Sequence, residues 1–240
     1  WFPAFAPLPG GEPTVMLAER SLPGCLMVDQ TGRRFINEAM DYMSFGQRLL
    51  ERERAGDRVE RMWMVFDQRY RDSYVMAAEL FPRMPIPQTW YDAGIAHRAD
   101  DFADLARAIG VPADQLTATV TRFNELARSG VDTDFGRGDS AYDRYYGDPR
   151  VTPNPNLGAL RNPPFYAVRV VPGDLGTCGG IMADGLARVL RSSGEVIEGL
   201  YAAGNVSAPV MGHTYPGPGG TIGPAMTFGY LAALHIAGKN

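Results

Sequence analysis

Tyrosine, glycine and threonine carry the chemistry that can be read in this sequence. The run Tyr215-Pro216-Gly217-Pro218-Gly219-Gly220-Thr221-Ile222-Gly223-Pro224-Ala225-Met226 is a Gly/Pro loop feeding an almost wholly apolar segment, Ala225–Ala237, closed by Gly238. Pro224 suits a first helical position, so the loop is expected to run straight into a helix N-terminus. Such an end presents unpaired N–H groups and a partial positive charge, which together stabilise an anion. Four glycines within Gly217–Gly223 exceed what a simple turn needs, with tight packing as the competing account. A second stretch, Gly199-Leu200-Tyr201-Ala202-Ala203-Gly204-Asn205, runs from a short apolar strand into small residues. Small side chains let a cofactor's sugar chain or phosphate lie against backbone N–H groups, and a strand ending in a plain turn reads equally well.

The elements that must position these residues are read next. Residues 1–20 are Pro-rich and are expected to be an irregular connector. Cys25–Val28, a turn Asp29–Gly32 and Arg33–Ile36 read as a hairpin. Tyr42–Arg54 fits a helix. Met62–Phe66, ended by Asp67, is a continuous apolar run that suits a buried strand. Asp100 or Asp101 can cap a helix Phe102–Ile109 closed by Gly110. Pro112 at a first helical position starts Ala113–Ser129, closed by Gly130. Residues 131–164 are turn-rich. Short strands are expected at Phe165–Val171, Ile181-Met182, Ala187–Leu190 and Leu200-Tyr201. A segment apolar on all sides, as Ala225–Ala237 is, must be buried if helical, and this chain alone is expected to expose that apolar surface unless a partner covers it.

The bulk numbers exclude several function classes. A net charge of −4 over 240 residues gives no basic footprint for nucleic acid. The longest apolar stretches fall well short of a membrane span. The two cysteines, Cys25 and Cys178, match no metal-ligand spacing and read as reduced thiols in a cytoplasmic protein; no metal site is expected. The chain opens at Trp1 without a Met or a signal-like run, which a start within a longer gene product or processing would each explain.

The run Gly204-Asn205 followed by Thr214-Tyr215-Pro216-Gly217-Pro218-Gly219-Gly220-Thr221-Ile222-Gly223-Pro224-Ala225-Met226-Thr227-Phe228-Gly229-Tyr230 resembles the carboxy-terminal signature of the 3-ketosteroid Δ1-dehydrogenases. These belong to the wider fumarate reductase/succinate dehydrogenase-like flavoprotein group. The group resemblance extends to Gly32-Arg33-Arg34-Phe35-Ile36-Asn37-Glu38, to Val120–Arg128, to Asp134-Phe135-Gly136-Arg137 and to Thr177-Cys178-Gly179-Gly180, a turn that approaches the flavin in that group.

The resemblance implies an α+β substrate (cap) domain, residues 1–175, joined to the carboxy-terminal segment of an α/β FAD-binding domain, residues 176–240. It implies FAD as cofactor, contacted by Thr177, Gly179, Gly180, Gly204, Asn205, Gly220, Thr221 and Ile222, and a 3-ketosteroid as substrate. In the implied reaction a proton leaves C2 and a hydride passes from C1 to flavin N5. Tyr215 and the Gly219 N–H would polarise the 3-keto oxygen, and Tyr42 would be the base. No Gly-x-Gly-x-x-Gly appears in the chain, so the amino-terminal FAD-binding half is expected on another segment or chain.

Departures and alternatives matter here. The loop offers Tyr, Pro and Gly where a dicarboxylate reductase of the group places a His-Gly-x-x-Arg pattern, which suits a ketone on a large apolar body. Tyr42 can equally be a packing aromatic at a helix start, with Tyr70 and Tyr74 as rival bases. His213 can back up Tyr215 or simply pack, and His97 and His235 read as structural. Arg33 and Arg34 can pair with Glu38, though a solvated hairpin is the simpler account. Asp134 and Arg137 are expected to fix a loop. Met40, Met43 and Phe45 suit an apolar pocket or a core. The competing functions are a related flavoprotein on another ketone or enoate, including a Δ4-steroid dehydrogenase or a fumarate reductase-like enzyme, and a non-catalytic fragment.

Overall fold

In the computed structural model, which describes residues 1–239, the apolar run at Met62 becomes strand β4 (Met62–Asp67), buried at every position. It lies between β3 (Cys25–Asp29) and β6 (Phe165–Gly173), antiparallel to both, with Met64 opposite Met27 and Val168. The sheet continues through β1 (Phe2–Phe5) and β2 (Thr14–Val15), while β5 (Ala96–Ala99) pairs with the other end of β6. Both faces are covered, which is why these strands read as continuous apolar runs rather than as an alternation.

On one face Met27, Met64, Phe66 and Tyr166 pack with Phe45 of α1 (Tyr42–Arg54), Tyr70 of α2 (Gln68–Ser73) and Trp90 of α3 (Gln88–Asp92). On the other, Leu26, Val28, Trp63 and Val65 pack with Leu105 and Ile109 of α4 (Phe102–Ile109) and with Leu116, Val120 and Phe123 of α5 (Ala113–Ser129). The spacing of these helical residues is the usual apolar stripe of a helix on a sheet. Asp101 caps α4 by accepting the Asp104 N–H, and Gly110 closes it at φ +70. A short helix α6 (Ala141–Tyr145) completes this unit, which spans Trp1–Gly173.

Three expectations for this unit are corrected. Residues 1–20 contain the strands β1 and β2. Pro3 faces Pro172 in register, and the alternation from Ala6, whose N–H donates to Arg169 O, makes that pair one that exchanges no hydrogen bond. The two missing donors therefore cost the β1–β6 ladder nothing, and Phe2, Ala4 and Phe5 bury their side chains. The hairpin after β3 is only a turn, with Gly32 N donating to Asp29 O and one bridge, Val28 to Arg34. The true partner of β3 is β4, more than thirty residues on. Helix α5 begins at Ala113, with Pro112 outside it in extended conformation.

A second unit begins at Asp174. It holds a two-stranded antiparallel ribbon, β7 (Arg188–Leu190) and β8 (Val196–Tyr201), and the helix α7 (Ile222–Ile236). Ile181-Met182 forms a single parallel bridge from Ile181 to Ser207, not a strand. Helix α7 starts three residues before the segment read from sequence, and it is not buried in this unit. Ile222, Met226, Tyr230 and Ile236 are each more than 60% exposed, and Ala232 is the one buried residue of the helix.

Candidate functional site

The glycine-rich segments of the second unit lie side by side. Ile181 N donates to Val206 O and Ala208 N to Ile181 O, both at 2.9 Å, so the turn Thr177–Gly180 runs into a segment laid along Gly204–Ser207. Gly180 is required at the contact: it sits at φ +154, and a Cβ there would lie 2.1 Å from Val206 O. A Cβ on Gly176 would meet Asn205 Nδ2 at 3.3 Å, and one on Gly204 would touch the Ala225 side chain at 3.6 Å. The turn Thr177–Gly180 is thus set against the segment Gly204–Ser207, and Gly204 in turn lies against the first turn of α7.

The loop into α7 has the form its sequence suggests. Gly220 N donates to Gly217 O at 3.0 Å, and Gly223 N to Gly219 O at 2.8 Å, which opens the helix. The Tyr215 hydroxyl lies 3.0 Å from Thr221 Oγ1, joining the phenol to the residue before the helix. Gly219 is exposed at φ +91 with open space where a Cβ would be, and among the described residues its N–H makes no hydrogen bond. The Gly220 N–H is already spent within the loop, so of the two adjacent glycines Gly219 is the one with a donor to offer. An exposed helix start, an open N–H and close-packed glycines form a backbone cradle of the kind an anionic, planar cofactor needs, so the residues fit FAD.

Tyr42 belongs to the first unit. It is half-buried at the first position of α1, behind Asp41, which caps the helix by accepting the Ser44 N–H at 2.9 Å. Its rivals are engaged elsewhere. The Tyr70 hydroxyl is buried and donates to Glu19 O at 2.7 Å, and burial pushes its pKa well above the ordinary phenol value. Tyr74 donates to Asp148 Oδ2 at 2.8 Å, and burial together with that carboxylate pushes its pKa up as well. A base needs the opposite shift.

One of the weaker sequence readings is corrected. Arg34 is not on a solvated hairpin: its side chain is 6% exposed and bridges Glu38 at 2.8 Å and Asp132 at 2.7 Å. The fully buried Arg137 reaches the same Glu38 carboxylate at 3.1 Å and donates to Cys25 O and Leu22 O. Burial opposes the charge on Glu38, but Arg34 and Arg137 outweigh it and hold the carboxyl below its ordinary value. Asp134 ties its loop to Arg122 of α5 at the surface. Phe45 belongs to the core on the α1 face of the sheet, and the partly buried Met40 packs against it. His97 sits edge-on to Trp63 with its pKa lowered by burial, and His235 Nδ1 lies 2.8 Å from the Tyr201 hydroxyl. His213 is exposed. Arg20 and Asp132 are among the buried residues that escaped the sequence reading; the partners Glu38 O and Met40 O of Arg20, and Arg34 of Asp132, lie far from them along the chain.

A family model described as FAD binding domain matches residues 1–222. A 3-oxosteroid 1-dehydrogenase of Mycobacterium tuberculosis (strain ATCC 25618 / H37Rv) is 57% identical over 99% of this chain and 42% of its own length. A 4-oxocyclohexanecarboxylate 2-dehydrogenase of Sinomonas cyclohexanicum is 42% identical over 94% of this chain and 39% of its own. Among solved structures, the 3-ketosteroid delta1-dehydrogenase of Sterolibacterium denitrificans in complex with 1,4-androstadiene-3,17-dione superposes with a TM-score of 0.90 at 45% identity. It covers 99% of this chain and 43% of that one. The chain therefore spans about two fifths of the length of the relatives it matches. Among the described residues, no helix is long and apolar enough to cross a membrane.

Proposed function

Because this chain belongs to the FAD binding domain family, we propose that it is the carboxy-terminal portion of an FAD-dependent dehydrogenase that introduces a 1,2 double bond into 3-ketosteroids. On this reading residues 1–175 supply the substrate domain and residues 176–240 the returning segment of the FAD-binding domain. FAD is held by Thr177, Gly179, Gly180, Gly204, Asn205, Gly220, Thr221 and Ile222, through backbone groups where the glycines leave room. The dinucleotide-binding turn comes from the remainder of the protein, which also covers the exposed apolar face of α7.

FAD, held by those residues, would supply the hydride acceptor for C1. The chain's own residues make C2–H acidic and remove its proton. The Tyr215 hydroxyl and the Gly219 N–H donate to the 3-keto oxygen and stabilise the charge that grows there as the C2–H bond breaks; each such donor is worth about 3–4 kcal/mol in comparable sites. Tyr42 acts as the base for the C2 proton, which keeps protons and electrons balanced: the steroid loses one proton to Tyr42 and one hydride to the cofactor.

The observation that supports this reading most is the loop itself, with the Tyr215 hydroxyl on Thr221 at the start of α7 and the unused Gly219 N–H nearby in sequence. A second reading is favoured by the likeness to the Sinomonas enzyme: a smaller cyclic ketone bearing a carboxylate. The loop's Tyr, Pro and Gly give no cation to pair with that group, which ranks this reading second. The test is turnover of androst-4-ene-3,17-dione by the full-length, FAD-loaded protein with an artificial electron acceptor. Formation of the 1,4-diene supports the proposal. No steroid turnover, together with oxidation of 4-oxocyclohexanecarboxylate, rejects it in favour of the second reading.

A further inference from the structure

The turn that leads into Tyr42 is held by groups from outside it. Asn37 donates through Nδ2 to Asp143 Oδ2 at 2.9 Å, and the Glu38 carboxylate accepts from Met27 N, Arg34 and Arg137. Two carbonyls of the turn, Glu38 O and Met40 O, converge on a single atom, Arg20 Nη1, at 2.5 Å from each. Both precede α1, so no helical or strand ladder serves them, and buried carbonyls need a partner.

Arg20 is 0% exposed, and its Nε donates to Met16 O at 3.2 Å. Its Nη2 has no hydrogen-bond partner. Burying a guanidinium is costly unless its donors are used, and replacing such a group by an apolar one is often harmless to stability. An arginine kept here with one donor orphaned and its two shortest bonds on one turn is better explained by what the turn presents than by net stabilisation. The residue that follows the turn is Asp41, the cap of α1, and next is Tyr42.

We propose that Arg20 is a positioning residue for Tyr42: by clamping Glu38 O and Met40 O it fixes the turn before α1, so that the phenol at the first helical position is presented in one orientation to the steroid C2–H. This rests on the reading of Tyr42 as the base. Arg20 touches neither substrate nor cofactor; its effect passes through the backbone of residues 38–41.

The test separates proton removal from hydride transfer. The full-length protein is held anaerobically with its flavin reduced, so that no hydride can be accepted, and deuterium wash-in at C2 of androst-4-ene-3,17-dione is followed in deuterated buffer. Wild type, Tyr42→Phe, Arg20→Met and Arg20→Lys are compared, with steroid Kd and FAD content measured on each. Tyr42→Phe is expected to abolish wash-in. Arg20→Met is expected to slow it by about 10²-fold, the usual cost of misplacing a reacting group by about an ångström, with steroid Kd and FAD content unchanged. Arg20→Lys, which retains one donor for the two carbonyls, is expected to recover part of the rate; it decides the matter by its own slowed wash-in if the Met variant does not fold. Wash-in at the wild-type rate in folded Arg20 variants, with Tyr42→Phe inactive, overturns the proposal and leaves Arg20 a packing residue. Undiminished wash-in in Tyr42→Phe overturns the base assignment itself, and the inference falls with it.

Discussion

Replacing Glu38 by Gln keeps the shape of the side chain and removes its charge from a closed network. The two carboxylate oxygens accept four hydrogen bonds: Met27 N at 3.0 Å and Arg34 Nε at 2.8 Å on Oε1, Arg34 Nη2 at 2.8 Å and Arg137 Nη1 at 3.1 Å on Oε2. In the variant an amide NH2 takes the place of Oε2 and faces two guanidinium donors, while the buried charge of Arg137 loses its carboxylate partner. Breaking a buried pair from one side costs about 3–5 kcal/mol. For a unit of this size about 2–4 °C of Tm goes with each kcal/mol, so a fall of about 6–20 °C is expected.

The assay is differential scanning calorimetry of full-length wild type and E38Q across pH. The folded-state pKa of Glu38 is depressed, so its stabilisation is complete above the unfolded carboxylate value and is lost as pH falls through the folded value. The gap in Tm between the two proteins should therefore hold from neutrality down to about pH 4.3 and close below it. A Tm unchanged at pH 7, or a gap that widens in acid, refutes the reasoning.

Two further outcomes follow from the same geometry. Gly180→Ala places a Cβ 2.1 Å from Val206 O; strain of about 1–3 kcal/mol weakens FAD binding about 5- to 150-fold, read by fluorescence titration of the apoprotein, and an unchanged Kd contradicts the cradle. Tyr74→Phe removes a hydrogen bond to Asp148 and lowers stability by about 1–3 kcal/mol, yet leaves kcat and its pH profile as they were; loss of turnover in this variant returns Tyr74 to the list of bases.

Much of the fold was legible where the signal is local. Helices α1 and α4 keep the bounds read from sequence, and α5 ends where it was expected to, because Asp101, Gly110 and Gly130 act on their own neighbours. Strand β4 was legible as an apolar run, since a strand covered on both faces has no polar side to show. What failed depended on distant partners. Pro3 argued against a strand until Pro172 was found opposite it. The pairing of Arg34 with Asp132 spans 98 residues, so Arg34 read as a surface hairpin residue. Arg20 serves three carbonyls, groups every residue possesses, so no side-chain pattern announces it. The apolar helix α7 was legible from composition as a surface that needs cover from elsewhere, and in its own unit that surface is open.

The site was legible in the same uneven way. Gly180 and Gly204 are glycine for reasons the geometry makes plain, and the loop into α7 was visible as spaced Gly and Pro. Which glycine keeps a free donor was not visible: Gly219 and Gly220 are adjacent and alike in sequence, and only the bond from Gly220 N to Gly217 O separates them.

In the proposed reaction Tyr215 polarises the 3-keto oxygen. Steady-state 1,2-dehydrogenation of androst-4-ene-3,17-dione by full-length protein, wild type against Tyr215→Phe with FAD content matched, reads that role. Removing one such donor costs about 10²–10³ in kcat, so a fall of that size with FAD retained is the expected result. A phenylalanine variant that turns over at the wild-type rate contradicts the claim.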